Sequence, residues 1–466
     1  MKRRLTFRHI LGPAGLESDR TLVVSDDGVI EAIVPSRAEG PGGRAPSCAG
    51  FLALPGLPNA HSHAFQRALA GFGEAARGED SFWGWREAMY RLANALSPED
   101  AYAVARHAYA EMLRGGFTSV AEFHYLHHRA DGGRGPEMAR AVIEAAESVG
   151  LPLVLLPTLY QRGGFGEGPK PEQRRFVHER VDDFLELMAT FRPAGSRAGR
   201  EGGFRLGVAI HSLRAVPPEA LPPFLKAARS LLGEQVPVHI HVSEQRAEVD
   251  ACRAAYGLTP IRLLSESVNL DARWSLVHAT HASRAELDRV REAGSTVVLC
   301  PLTEAYLGDG LFPADEYARA GGRIAVGSDA NVRIDAVGEL RWLEFSQRLR
   351  TERRARLATP EGVGGPLWRR AAEGGAAALA EPIGAIAPGR RADLVVLDEQ
   401  ADTWLGQGPE TVMDAWLVGG GREDIAAVYA GGRRVVERGR LETGDDTREA
   451  FARVVARWRG GAEAGG

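Results

Sequence analysis

Cysteine is scarce in this chain: 466 residues contain three, Cys48, Cys252 and Cys300. They show no paired spacing, which argues against a disulfide framework and for a reducing compartment. Long apolar runs are missing too, and none reaches the roughly 20 residues of a membrane span. The basic start, MKRRLTFRHI, lacks the apolar stretch that follows it in a secretory signal. A cytoplasmic protein without a membrane partner is therefore expected. Nor is charge of one sign in excess. Against 61 acidic residues stand 57 basic ones, for a net charge of −4, and the basic ones are scattered over helical faces. That excludes the basic stripe of a nucleic-acid binder. Internal repeats and coiled-coil heptads are absent as well. What is present is a globular composition, 44% hydrophobic and 25% charged, in a chain long enough for one large α/β barrel and an appendage.

Residues 3–10 and 20–34 read as short strands with turn signals such as DDG. Beyond residue 55, apolar strand-like runs alternate with helical periodicity. The runs are 51–57, 118–123, 151–159, 204–213, 236–244, 274–281, 295–301 and 323–330, and helices are expected at 98–115, 136–149, 172–191, 217–233, 245–255, 259–267 and 283–293. Eight buried strands alternating with helices predict parallel βαβ units and a (β/α)8 TIM-like barrel over residues 56–383. Strand character returns at 392–398 and 425–439. Segments 1–55 and 384–442 are accordingly expected to join in a small β-sandwich domain, leaving 443–466 as a helix and tail. Loops are expected at 192–203 and 358–366, and disorder in the tail GGAEAGG.

Polar residues collect where the apolar runs stop, which is where barrel enzymes carry their chemistry. In PNAHSHAFQ, His61 and His63 are two apart and share a strand face. The second run leads to Tyr125, the fourth to His211 and Arg214, the fifth to His241 and Glu244, the sixth to His278 and His281, the eighth to Asp329. Core histidines would scatter rather than gather at one end of successive strands, so a metal site is expected. His239, deeper in its strand, reads as a core histidine; His281 reads as a loop or capping residue, and His127 and His128 as loop residues. His9, His107 and His178 have no companions and need only surface or packing roles.

Histidine nitrogens with one carboxylate, and no cysteine at the expected positions, suit one divalent metal such as Zn²⁺, with Fe²⁺ open. His61, His63, His241 and Asp329 as ligands leave a position where water ionises near neutral pH. Glu244 can then carry protons to a leaving nitrogen, and His278 can polarise the water or the electrophilic carbon.

This order of motifs, LPGLPNAHSHAF, HVSE, VHATH and GSDAN, followed by IGAIAPGRRADLVVLD, resembles the amidohydrolase superfamily over essentially the whole chain. HVSE and VHATH resemble its mononuclear deaminase branch. HSHAFQRALAGF, SFWGWREAMYR, EFHYLHH, HSLRAV, CPLTEAYLGDG and ELRWLEFSQRLR are similar to the formimidoylglutamate deiminase family. The resemblance implies hydrolysis of N-formimidoyl-L-glutamate to N-formyl-L-glutamate and ammonia in histidine degradation, and a homodimer. It implies His61, His63, His241 and Asp329 as metal ligands and Glu244 with His278 as the catalytic pair, Asp329 sharing the water's proton. Gln66, Arg86, Tyr125, His211 and Arg214 would contact the substrate, and the two arginines suit its carboxylates. Two departures from that family lie in CPLTEAYLGDG, where Tyr306 replaces an expected asparagine, and in Ala330–Asp335. Two alternatives stay open. A deaminase of cyclic amidines would need fewer arginines and more aromatic stacking. A non-catalytic barrel scaffold would have lost ligands, Glu244 or His278, and all are present.

Overall fold

The computed structural model describes residues 2–36, 48–72, 74, 81–191, 204–444 and 446–463. Two sheets organise it. In the first, eight strands run in the spatial order Arg440–Leu441, Arg433–Glu437, Ile425–Ala430, Leu394–Leu397, Cys48–Pro55, Arg3–Gly12, Gly15–Val24 and Ile30–Pro35. Strands from both ends of the chain thus form one mixed sheet. Phe7, Ile10, Leu22, Val24, Leu394 and Val396 lie in its core cluster.

The second sheet is an eight-membered, near-closed parallel barrel. Its strands are Leu57–Ser62, Phe117–His124, Leu153–Leu159, Val208–Ile210, Val238–Val242, Trp274–His278, Thr296–Leu299 and Arg323–Val326, with Phe204–Leu206 pairing beside the third. Closure comes at the top, where Ser62 bridges Asp329 in parallel. Gly327 makes the approach possible, because a Cβ there would stand 2.7 Å from the carbonyl oxygen of His61.

Several expectations shift. The apolar run 51–57 is not the first barrel strand. Its residues up to Pro55 pair with Arg3–Gly12 and Leu394–Leu397, and the barrel begins after Gly56, at Leu57. Both segments are covered on both faces, so hydrophobicity could not separate them. The run 204–213 is two short strands parted at Gly207, where a Cβ would meet Leu156 at 2.5 Å. The helix expected at 172–191 is confined to Val181–Ala189. The loop expected at 358–366 ends earlier, in the helix Gly364–Leu379, and the tail helix Arg448–Glu463 extends into GGAEAGG. The loop 192–203 lies outside the described residues. The helix Ser81–Ala95 was not foreseen as a helix, although its SFWGWREAMYR had stood out as a motif. Among the described residues no helix is long and apolar enough to cross a membrane.

Candidate active site

Three imidazoles meet at the barrel's C-terminal end. His61 ends the first strand with Ser62, His63 follows it, and His241 comes from the fifth. Their Nε2 atoms stand 3.2 Å (His61–His63), 3.3 Å (His63–His241) and 3.0 Å (His241–His61) apart. Ligand nitrogens held at about 2.0–2.1 Å around a tetrahedral cation stand about 3.3 Å from one another, so the triangle fits one cation. His63 Nδ1 lies 2.9 Å from the Phe123 carbonyl and His241 Nδ1 2.9 Å from the His211 carbonyl. A carbonyl only accepts, so both Nδ1 atoms carry hydrogen and both Nε2 lone pairs face the triangle. Burial pushes the pKa of all three down, that of His63 to about 3, which keeps them neutral as ligands must be.

Asp329 completes the group, its Oδ1 3.5 Å from His61 Nε2 and 3.4 Å from His63 Nε2. The backbone pins it: Asp329 N–H donates to His61 O at 3.0 Å, and His63 N–H donates to Asp329 O at 2.9 Å. Asp329 (φ +44°) and His278 (φ +69°) both hold left-handed backbone. Such conformations cost on the order of 1–3 kcal/mol each and persist only where the surroundings over-determine them. Around Asp329 the surroundings do so. Asn331 Nδ2 donates to Asp329 O at 2.9 Å, His63 O at 3.1 Å and Ser62 Oγ at 3.1 Å. The atypical Ala330–Asp335 stretch thus puts a buried fastener, Asn331, behind the site, while Ala330 faces the cleft.

His278 Nε2 faces Asp329 Oδ2 at 3.7 Å and Glu244 Oε1 at 3.9 Å, and its Nδ1 lies 3.2 Å from Glu304 Oε1. Burial alone would lower its pKa; Glu244, Glu304 and Asp329 outweigh that and raise it to about 10. Glu304, which also accepts the Cys300 N–H at 2.9 Å, was missed by the sequence reading. Its only signal was its place in CPLTE, directly after the seventh strand. Cys300, at the end of the seventh run, lies with His278 and Asp329 in a second cluster of potential ligand atoms. Burial raises the Cys300 thiol well above its ordinary value. The three-histidine set is the better metal site, because its Nε2 atoms already converge at the spacing a tetrahedral cation imposes.

The remaining expected residues come together as well. Gln66, Arg86, Tyr125, His211 and Arg214 line one cleft with His63, His241, Glu244, His278 and Asp329. Gln66 Nε2 donates to Tyr125 Oη at 2.7 Å, and Arg214 Nη2 lies 3.6 Å from Glu244 Oε2. Tyr90, Tyr160 and Phe176 also line it and were not foreseen. Tyr306 does not line the cleft; its neighbour Leu307 does. His239 bonds the Ala378 carbonyl at 2.8 Å, away from the cleft. His127 and His128 bond the Thr158 and Val177 carbonyls in a buried loop.

Residues 52–435 match the model of the amidohydrolase family. The formimidoylglutamate deiminase of Pseudomonas aeruginosa is 43% identical over 451 residues, 95% of this chain and 96% of that one. A 5-methylthioadenosine/S-adenosylhomocysteine deaminase of Natronomonas pharaonis is 28% identical over 91% of this chain and 90% of its own. A crystal structure of an amidohydrolase from Brucella melitensis superposes with a TM-score of 0.86 at 38% identity, covering 98% of this chain and 100% of that one. With its barrel, its three-histidine metal site and these relatives, the chain belongs to the amidohydrolase family as a metal-binding enzyme closely related to formimidoylglutamate deiminase.

Proposed function

We propose that the protein hydrolyses N-formimidoyl-L-glutamate to N-formyl-L-glutamate and ammonia, a step of histidine degradation, as a cytoplasmic homodimer holding one Zn²⁺. The observation that carries the reading is the pairing of two arginines, Arg86 and Arg214, on the wall of a cleft floored by three converging histidines. An acidic amino-acid derivative with two carboxylates matches two guanidinium forks. The identity to the Pseudomonas aeruginosa enzyme supports the same substrate. The neutral nitrogens of His61, His63 and His241 suit zinc, and Fe²⁺ accepts the same donors.

A divalent cation held by these residues supplies Lewis-acid activation of a water nucleophile. Glu244 takes one proton from the attacking water as its oxygen bonds to the formimidoyl carbon. The terminal nitrogen of the cationic formimidoyl group already carries two hydrogens; the same carboxyl adds the third, and the bond to carbon breaks as ammonia leaves. Asp329 accepts the second proton of the water as the new carbonyl forms. His278, between Glu244 and Asp329, orients both carboxylates and carries positive charge next to the developing oxyanion. Arg214, close to Glu244, holds a substrate carboxylate.

Aromatic rings in the wall, Tyr125, Tyr160 and Phe176, keep a cyclic amidine in the comparison. The test is ammonia release by the metal-loaded protein from formimidoylglutamate against 5-methylthioadenosine and other cyclic amidines. Turnover of the linear substrate by a factor of at least a hundred over the others is expected. Release from the cyclic compounds alone would replace this reading.

A further inference from the structure

Alternation along the fifth barrel strand, Val238–Val242, does not explain where Glu244 points. His241 faces the cleft and His239 shares its face, while Ile240 and Val242 pack into the core around the barrel. Continued as a strand, the chain would send residue 244 outward with 240 and 242. Glu244 instead lines the cleft. Ser243 supplies the change of direction, because its backbone is left-handed, with φ +54°. A residue with a Cβ keeps that conformation only where its surroundings fix it.

The backbone groups of the turn show what fixes it. The Val242 and Ser243 carbonyls accept the Ala279 and His281 N–H groups at 3.1 and 3.0 Å, which ties the turn to the end of the sixth strand. The N–H groups turn the other way. That of Glu244 donates to Oε2 of Glu248 at 3.0 Å, and that of Ser243 is directed at the same carboxyl. Glu248 is the third residue of the helix Arg246–Tyr256, and its own N–H donates to Gln245 O at 3.0 Å in the first turn. A glutamate at that position reaches back over the start of its helix. The side chain is buried. Burial pushes its pKa up, as does Glu244, against the pull of Arg214 and of the two N–H groups. A carboxyl is costly to bury, and the proposed chemistry gives this one no proton to carry.

Two roles are open to such a group. As a counter-charge it would serve Arg214, whose charged form Glu248 and Glu244 both favour against the effect of burial. The carboxylate within ion-pair distance of Arg214, however, is Glu244, 3.6 Å from Nη2. Glu248 directs its oxygen to the backbone of the turn. We infer that Glu248 is a positioning residue: by holding the N–H of Glu244 it keeps the left-handed turn at Ser243 and aims the Glu244 carboxyl at the water and the leaving nitrogen. The inference rests on Glu244 as the proton carrier of the proposed function, and not on which amidine fills the cleft.

Two replacements separate reach from charge. Glu248→Asp keeps the charge and withdraws the carboxylate from the turn by one methylene. Glu248→Gln keeps the reach and offers an amide oxygen to the same N–H, without the charge. Each is made in the wild type and in Glu244→Gln, and kcat, KM, metal content and melting temperature are measured on the metal-loaded proteins with formimidoylglutamate. Misplacing a reacting group by about 1 Å costs up to roughly 10²-fold. Glu248→Asp should therefore lower kcat roughly 10- to 100-fold, with KM within about threefold and the metal retained. Glu248→Gln should restore most of that rate, losing about threefold at most. In the Glu244→Gln background the Asp replacement should cost less than about threefold, because the amide there carries no proton to misdirect. The reverse order, with Gln impaired through KM and Asp normal, would make Glu248 the counter-charge of Arg214 and overturn the inference. Equal losses in both backgrounds, no loss in Glu248→Asp, or a loss of metal or fold in step with the rate would overturn it too. A wild type that acts on a cyclic amidine and not on formimidoylglutamate overturns the substrate reading alone, and the same comparison on that compound then decides the role of Glu248.

Discussion

The floor of the cleft and its outer wall are built by different means. On the floor, His61, His241, His278 and Asp329 ride on strand ends whose backbones bond to one another: Asp329 to His61, His63 to Asp329 and Ala279 to Val242. Asn59, Ser328 and Asn331 tie the first and eighth strands from below through buried side-chain bonds of 2.6 Å. A displacement there must break sheet as well as side-chain bonds. On the wall, Arg86 and Tyr90 come from a helix, Gln173 from a short turn and Tyr160 from beyond a strand end. They hold one another by side-chain bonds spanning up to 83 residues of sequence. Chemistry is thus anchored in the sheet, while substrate choice hangs on side chains that can change without disturbing it.

If that contrast is right, the largest effect follows from cutting a floor ligand. His61→Ala should lose bound metal and turnover together, because no wall residue can replace an imidazole in the triangle. Metal analysis beside an ammonia assay checks it, and full metal with wild-type rate would remove His61 from the ligand set. Next in size is Glu244→Gln, which keeps the shape but accepts no proton. Metal should remain while kcat falls roughly 10²- to 10⁴-fold, the usual scale for a general acid–base group. Parallel falls in metal and rate would make Glu244 a ligand instead.

The same contrast explains what the sequence disclosed. The floor was legible because a strand's period of two puts His61 and His63 on one face, and because barrel chemistry sits where apolar runs end. His241, His278 and Asp329 obeyed that rule. Arg214 was reached by the same rule, just past the end of the fourth run, whereas Arg86 was reached only through motif resemblance. Tyr90 and Gln173 were illegible, since a phenol in an amphipathic helix and an amide in a turn look like surface residues until a partner far along the chain meets them. Glu304 was hidden for the same reason. The misplaced first strand has another cause: 48–55 and 57–62 are two buried strands of different sheets with only Gly56 between them, and hydrophobicity does not record which sheet a strand joins.

On the wall the expected losses are smaller and depend on the substrate. Arg214→Met should keep its metal and lower kcat/KM for formimidoylglutamate roughly 10- to 150-fold, the value of a charge-assisted hydrogen bond in a closed site. An analogue lacking the carboxylate that Arg214 holds should be a poor substrate of the wild type and lose little more on mutation. Equal losses on both would instead make Arg214 a support of Glu244, 3.6 Å away.

The smallest effect on turnover belongs to a carboxyl buried beneath the floor. Glu122, on the second strand, accepts the Ala64 N–H at 2.7 Å, directly after His63. Burial raises its pKa to about 8, against the opposing pull of hydrogen bonds from Ala64, Ser62 and Tyr109. The folded protein therefore keeps a proton on Glu122 that the unfolded chain releases near its ordinary value of 4.5. Between those two values the native state binds more protons than the unfolded one, so this group's contribution to stability falls as pH rises. It is largest below about pH 4.5 and levels off above about pH 8, where the carboxyl is ionised in both states. Glu122→Gln keeps an acceptor for the Ala64 N–H and cannot ionise. Its melting temperature should decline less than that of the wild type from pH 5 to pH 8, the two curves separating by a few degrees, while kcat at neutral pH changes less than about threefold. Comparing the two proteins cancels the slopes from every other titrating group. Parallel melting curves would show that the second strand carries Glu122 ionised in the folded state. The floor would then rest on hydrogen bonds alone, without a buried acid held neutral beneath it.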